Sequence, residues 1–194
     1  MLKGLFSVGI AAFGLKNSKC TDSNVDVTRN AICILHPDGD SNTHGVVSFS
    51  QPDFSSPTKI VANVRGLNPN AFHGFHIHQF GDLTEGCKTA GPHFNPHGKN
   101  HGGPGDNERH VGDLGNLKTD SEGNAYQAFT DPLVTLHGEF SIIGRSVVVH
   151  KDTDDLGKGG KEDSLTTGHA GARVACGVIG LSDKFKNLPP ATSL

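Results

Sequence analysis

A chain of 194 residues, 34% hydrophobic and 19% charged, has the length for one hydrophobic core and is neither charged enough for disorder nor apolar enough to live in a membrane. Its 17 Lys and Arg against 20 Asp and Glu give a net charge of −3, with no basic run to follow a phosphate backbone, which argues against a nucleic-acid partner. With 26 Gly, 10 Pro, no Trp and one Tyr, many turns and little long helix are expected, hence an all-β fold.

The expected organisation is an N-terminal extension over 1–29, one domain over 30–182 and a C-terminal tail over 183–194. In the extension, Lys3 precedes an apolar stretch, Gly4 to Leu15, too short to span a bilayer but suited to the hydrophobic region of a secretory signal, with Ala12 and Gly14 as small residues for cleavage. Lys16 and Lys19 crowd that site, and the lack of acidic residues before Asp22 suits an organelle presequence as well. A retained amphipathic or disordered extension is the third reading. A signal peptide ending near residue 15 would make the protein secreted; otherwise the expectation is cytoplasmic.

Alternating, β-branched-rich runs follow at Ala31 to Leu35, Val46 to Phe49, Lys59 to Arg65, Phe72 to Gln79, Ala125 to Thr130, Arg145 to His150 and Arg173 to Ile179, the pattern of seven or eight short strands. His36-Pro-Asp-Gly-Asp and Ser121-Glu-Gly-Asn supply turn chemistry. The economical assembly is a Greek-key β-sandwich or barrel of about eight antiparallel strands. Gly81 to His110 and Lys151 to Ala172 lack strand patterns, and loops that long are uncommon in a compact domain unless they are functional or disordered. Lys184 to Leu194, with two prolines and no periodicity, is expected to be a loose tail.

Strand alternation sends His76 and His78 to one side of Phe72-His-Gly-Phe-His-Ile-His and Phe75 and Ile77 to the other, placing two imidazoles on an apolar-backed platform. The loop beyond adds His93, His97, His101, His110 and Asp113, too dense a set for an ordinary solvated surface. Three imidazoles and a carboxylate suit tetrahedral zinc, and His110 and Asp113, three apart, can aim at one ion from a tight turn. His150, ending Val147-Val-Val-His, is a natural further nitrogen beside His76 and His78, and an imidazole-rich set suits copper.

Gly74-Phe-His-Ile-His-Gln-Phe-Gly-Asp82, Gly91-Pro-His-Phe-Asn-Pro96, His110-Val-Gly-Asp-Leu-Gly-Asn116 and Gly171-Ala-Arg-Val-Ala-Cys-Gly-Val-Ile179 resemble the signature segments of the copper/zinc superoxide dismutases, a resemblance running from about Asn30 to Ser182. It implies one copper ion on His76, His78, His93 and His150 and one zinc ion on His93, His101, His110 and Asp113, with His93 shared. The implied activity is conversion of two superoxide anions to oxygen and hydrogen peroxide through alternating reduction and oxidation of copper, protecting against oxidative damage. His93 would also carry a proton, Arg173 would hold the anion, Thr167 would narrow the channel, and Asp154 would link His76 with His101. Four cysteines, Cys20, Cys33, Cys87 and Cys176, permit three full pairings, of which the resemblance selects Cys87 with Cys176. A homodimer is implied too, through Phe80-Gly81, Ile142-Ile-Gly144 and Gly177 to Leu181, as is a copper chaperone for metal loading.

One departure concerns the field that draws in the anion: members of the family commonly carry a lysine where this chain has Thr166 and another near Asp152, whereas this sequence offers Lys151 and Lys161 instead, so a rearranged field with intact chemistry is expected. Two other readings compete. A copper-delivery protein with a docking domain of this kind would usually add a C-x-x-C motif and lose copper ligands, and neither is seen. A β-sandwich interaction module stapled by zinc would leave His76, His78 and His150 without purpose.

Overall fold

Inward-facing Ala31, Cys33 and Leu35 alternate with outward Ile34 and His36 along β1 (Arg29–Pro37), the period of two that a sheet with one wet face requires. The computed structural model describes residues 27–190; the expectations for the N-terminal stretch and Cys20 lie outside the described residues. Beyond β1 come β2 (His44–Gln51), β3 (Thr58–Arg65), β4 (Phe72–His78), β5 (Thr84–Cys87), β6 (Asp113–Lys118), β7 (Ala125–Asp131), β8 (Ser146–His150) and β9 (Arg173–Ser182). All but β5 join one antiparallel sheet in the order β6-β4-β8-β9-β1-β2-β3-β7. Its two edge strands also approach each other, so the sheet rolls into a nearly closed barrel around Val47, Phe49, Ile60, Phe75, Ile77 and Val149. Strand β4 pairs with β6 and β8 and not with β3, the crossing connectivity of a Greek key.

Two strands and the tail depart from expectation. Strand β6 was hidden because it lacks β-branched residues and carries Gly115 at φ +79. Its pairing with β4 slips between Gly74–Asn116 and His76–Asp113, a bulge that disrupts the regular alternation. Strand β5 is four residues long, inside the stretch read as loop. The tail is not loose over 183–190. Lys186 N–H donates to Ser48 Oγ (3.1 Å), Asn63 Nδ2 donates to Pro189 O (2.6 Å), and Lys59 Nζ sits 4.9 Å above the Phe185 ring. It lies along β2 and β3, because three backbone and side-chain contacts replace the periodicity it lacks.

Both long loops are anchored. A Cys87–Cys176 disulfide, with Cα atoms 5.6 Å apart, ties β5 to β9 across 89 residues, while Cys33 is a free thiol in the core. Arg109, fully enclosed, reaches Asp131 at 2.6 Å and donates to Pro104 O at 3.0 Å, fastening the loop before β6 to the end of β7. The second loop holds only a single helical turn, α1 (Ser164–Thr167).

Candidate metal centre

Because β4 is covered on both faces, the expected alternation sends Phe75 and Ile77 into the barrel while His76 and His78 remain buried beneath the loops. The loop docks on β4 through its backbone. Phe94 N–H donates to Ile77 O (2.8 Å), Ile77 N–H to Gly112 O (2.8 Å) and Gly112 N–H to Phe94 O (3.0 Å). A Cβ at Gly112 would run into Ile77 O, so this three-way junction requires glycine. It carries His93 to within bridging distance of His78 and, through the β6 bulge, presents Asp113 beside His76. On β8, His150 follows a second bulge, opposite Arg173.

These elements converge on two overlapping sets. His76, His78, His93 and His150 each offer a ring nitrogen within 4.8 Å of the others, as do the ligating atoms of His93, His101, His110 and Asp113. All are buried, and His93 belongs to both. Nitrogens facing away from the centre have fixed partners: His78 Nδ1–H donates to Gly91 O (2.8 Å), His150 Nδ1–H to Gly171 O (3.2 Å), and His76 and His101 donate from Nε2 to the two oxygens of Asp154 (2.8 Å each). Holding the proton outside leaves a lone pair pointing inward.

The inward atoms lack ordinary partners. His76 Nδ1, His93 Nε2 and His101 Nδ1 are buried without a hydrogen bond, and His78 Nε2 faces His150 Nε2 at 3.4 Å, two lone pairs in opposition. His101 Nδ1 is 3.0 Å from Asp113 Oδ1 yet lacks hydrogen-bond alignment, and the Nδ1 atoms of His93 and His110 lie 2.9 and 3.1 Å from the same oxygen. Three imidazoles gathered on one carboxylate oxygen, whose partner Oδ2 accepts from the backbone of Gly102 and His110, form a set that a tetrahedral zinc ion fits. Buried nitrogens of this kind carry a desolvation penalty that a cation removes.

The charge states agree. Burial, then the neighbouring His93 and His150, push His76 and His78 well below the usual imidazole range, and burial takes His150 down to about 4. His93 is also lowered by burial, against its bond to Asp113. His101 goes the other way: burial lowers it, but Asp113 and Asp154 together raise it to about 9. Asp113 falls below the carboxylate range because its histidine bonds outweigh burial. Four neutral imidazoles therefore sit ready to coordinate, as metal binding requires.

Arg173 stands at the rim. Its Nη1 donates to Cys87 O (2.6 Å) and its Nη2 to Gly91 O (2.7 Å), so the oxygen that orients His78 also fixes the guanidinium. A cleft of about 430 Å³ reaches His93 and His110 between Lys99, Asn95, Leu165 and Thr166. Thr167 and Arg173 are not in its lining; Thr167 is exposed and donates from its hydroxyl to Asp163 O. Lys99, Nζ to Asn107 O at 2.6 Å, was missed in the sequence, where its place between His93 and His101 was the available signal. His97 is outside both sets, its ring against Phe140, and His73 is buried between the carbonyls of His150 and Asn68.

Residues 43–179 match the family described as copper/zinc superoxide dismutase (SODC). The chain is 58% identical over 153 residues to Superoxide dismutase [Cu-Zn] of Cordyceps militaris, covering 79% of this chain and 98% of that protein. It is 62% identical over 144 residues to the protein of the same description from Candida albicans, covering 74% and 94%, and 61% identical over 144 residues to that from Neurospora crassa, with the same coverage.

Proposed function

The chain belongs to the copper/zinc superoxide dismutase family, and from that premise we propose how its own residues dismutate superoxide. Copper would be held by His76, His78, His93 and His150, and zinc by His93, His101, His110 and Asp113. The copper supplies the alternating one-electron chemistry that turns two superoxide anions into oxygen and hydrogen peroxide. The observation that carries the assignment is the convergence of buried, unpartnered ring nitrogens on His93, whose two nitrogens face the two sets.

His93 is the proton carrier. Its Nδ1 is kept toward Asp113 and the zinc set, so Nε2 is the nitrogen that would carry a proton to the product in the half of the cycle in which it does not hold copper. Arg173 binds the incoming anion: two of its donors are committed to Cys87 O and Gly91 O, which holds the planar group still, and its remaining face offers charge and directed N–H groups to a small oxyanion. On the α1 side the approach is bounded by Leu165 and Thr166, with Thr167 just outside the lining. Asp154 fixes the ring orientation of one histidine from each set. Lys99, at the cleft beside His93 and His110, supplies attraction that the missing lysine at position 166 would otherwise give.

The test is the rate of superoxide decay with protein carrying copper plus zinc against protein carrying zinc alone, at low and high salt. Fast copper-dependent decay that slows with salt is expected, because screening at about 0.1 M ionic strength shortens electrostatic reach to roughly 10 Å. Absence of copper-dependent decay in fully loaded protein would overturn the assignment.

We propose a homodimer through an exposed apolar face, since Ile34, Phe80 and Val178 are large and partly exposed to solvent. A copper chaperone suits ligands this deeply buried, which leave free ions little access. For the compartment, mass analysis of the native N-terminus decides; a start near residue 15 supports a secreted protein, and an intact Met1 or Leu2 supports a cytoplasmic one.

A further inference from the structure

We infer that Asp38 is a positioning residue for Arg173, holding the guanidinium in register by pinning the backbone of Cys87. This rests on the anion-binding reading of Arg173. Asp38 is the first residue beyond β1, and its own N–H donates to Val174 O (3.0 Å), one residue along from Arg173. Its carboxylate Oδ1 accepts from Cys87 N–H (3.0 Å). Cys87 in turn offers its carbonyl to Arg173 Nη1 at 2.6 Å and its sulfur to Cys176.

One residue is thus tied at three points, by its amide to the turn after β1 and by its carbonyl and its sulfur to β9. Remove the amide tie and the carbonyl that orients Arg173 can rock about the remaining two. The close fit has a local signature. Gly86 has φ +63, and a Cβ there would strike Asp38 Oδ1; glycine is what lets the carboxylate come under the loop.

Charge and geometry can be separated here. Asp38 lies half-buried in a cavity of about 390 Å³ with Asp40, Lys151 and His73, and its charge partly offsets the lowering that burial imposes on Arg173. As a negative group near an anion site it opposes substrate, so a purely electrostatic role would be harmful. The useful role is the hydrogen bond.

The experiment uses the full chain loaded with both metals, its disulfide verified by thiol titration, and inorganic phosphate as the oxyanion probe of Arg173. In Asp38→Ala, kcat/KM for superoxide falls about 5- to 10-fold, the equivalent of one lost hydrogen bond, and phosphate inhibition weakens in parallel, with the copper absorption spectrum unchanged. Asp38→Asn keeps an acceptor oxygen and sheds the charge, so phosphate inhibition tightens about twofold and the rate rises. Arg173→Ala is the reference. A normal Asp38→Ala beside an impaired Arg173→Ala would sink the Asp38 role alone, and so would an Asp38→Asn as impaired as the alanine variant. If Asp38→Ala loses its disulfide, Asp38→Asn decides by the same readouts. An Arg173→Ala protein with normal decay and normal phosphate inhibition would sink the anion-binding reading itself, and the Asp38 role with it.

Discussion

Asp154 shows how much one carboxylate can organise without touching an ion. Its oxygens accept from His76 Nε2 and His101 Nε2 at 2.8 Å each, and its own N–H donates to Asn116 Oδ1 at 2.8 Å, so a residue of the second loop is built into β6 and governs both sets. With Asp154→Ala both imidazoles are free to turn and shift their protons inward. The expected loss is about 10- to 100-fold in affinity for each metal, read by competition against a chelator; retention of one metal at full affinity would show that the link is not shared. The same residues set the acid behaviour of the metal-free protein. His150 is lowered to about 4 and His76, His78 and His93 are lowered too, so the unfolded chain binds more protons than the folded one below the ordinary value of 6.5, and stability drops as pH falls from there toward 4. His101, raised to about 9, contributes stability that is complete below 6.5 and lost as pH rises through 9. Urea midpoints of metal-free protein should therefore peak near pH 6.5 and decline on both sides; a midpoint climbing steadily to pH 9 would contradict the balance of these groups.

At the level of elements, β9 joins the disulfide to the rim of the site, since Cys176 and Arg173 lie on the same strand and Cys87 bonds to both. Replacing Cys176 by Ser opens a loop of 89 residues, a loss of about 4 to 5 kcal/mol by loop-closure entropy. The thermal midpoint should fall, and kcat/KM should fall further than copper content does, because Cys87 then holds Arg173 with one tie fewer. Equal losses in rate and copper would assign the disulfide to metal retention alone. Six strands were readable because β1 and β7 alternate while β2, β3, β8 and β9 are rich in β-branched residues, β8 as the continuous buried run Val147-Val-Val. β4 was readable also as a ligand platform, since its inward Phe75 and Ile77 match a simple rule. β6 was not, because its bulge and Gly115 exist to aim Asp113 and they break the period that announces a strand. The seven metal-facing residues were legible for a different reason: no other side chains do their chemistry, and the resemblance grouped them. Asp38 and Lys99 were not, because aspartate in Pro-Asp-Gly reads as a turn residue and lysine in a loop as surface, and only the folded chain brings them to Cys87 and the cleft.

Among the described residues, exposed apolar side chains gather where β8, β9 and the stretch after β4 meet. Val178, 43% exposed, pairs with Ser146, whose hydroxyl donates to the carbonyl of Phe80, itself 49% exposed. A Cβ at Gly81 would meet Gly144 O and Val178 Cγ1, so the ground between them must stay flat. Ile34 on β1, next to Cys33, which pairs with Ile179 beside Val178, extends it. Burying such surface is worth roughly 25 cal/mol per Å², and a stable pair needs about 800 Å² from each partner. Phe80 also lies over Gly91, where a Cβ would strike its ring, and Gly91 O is the acceptor shared by His78 and Arg173. Pairing through this face would then stiffen the acceptor that holds both. Val178→Glu places a charge in the middle of the face without altering Phe80 or any metal-facing residue. The expected result is sedimentation of the unaltered protein at twice the chain mass and of the variant at one chain mass, with kcat/KM lowered by a few fold and metal content retained. Unaltered protein sedimenting as a single chain at micromolar concentration would rule out the dimer, and a monomeric variant with full activity would cut the link between the paired face and Arg173.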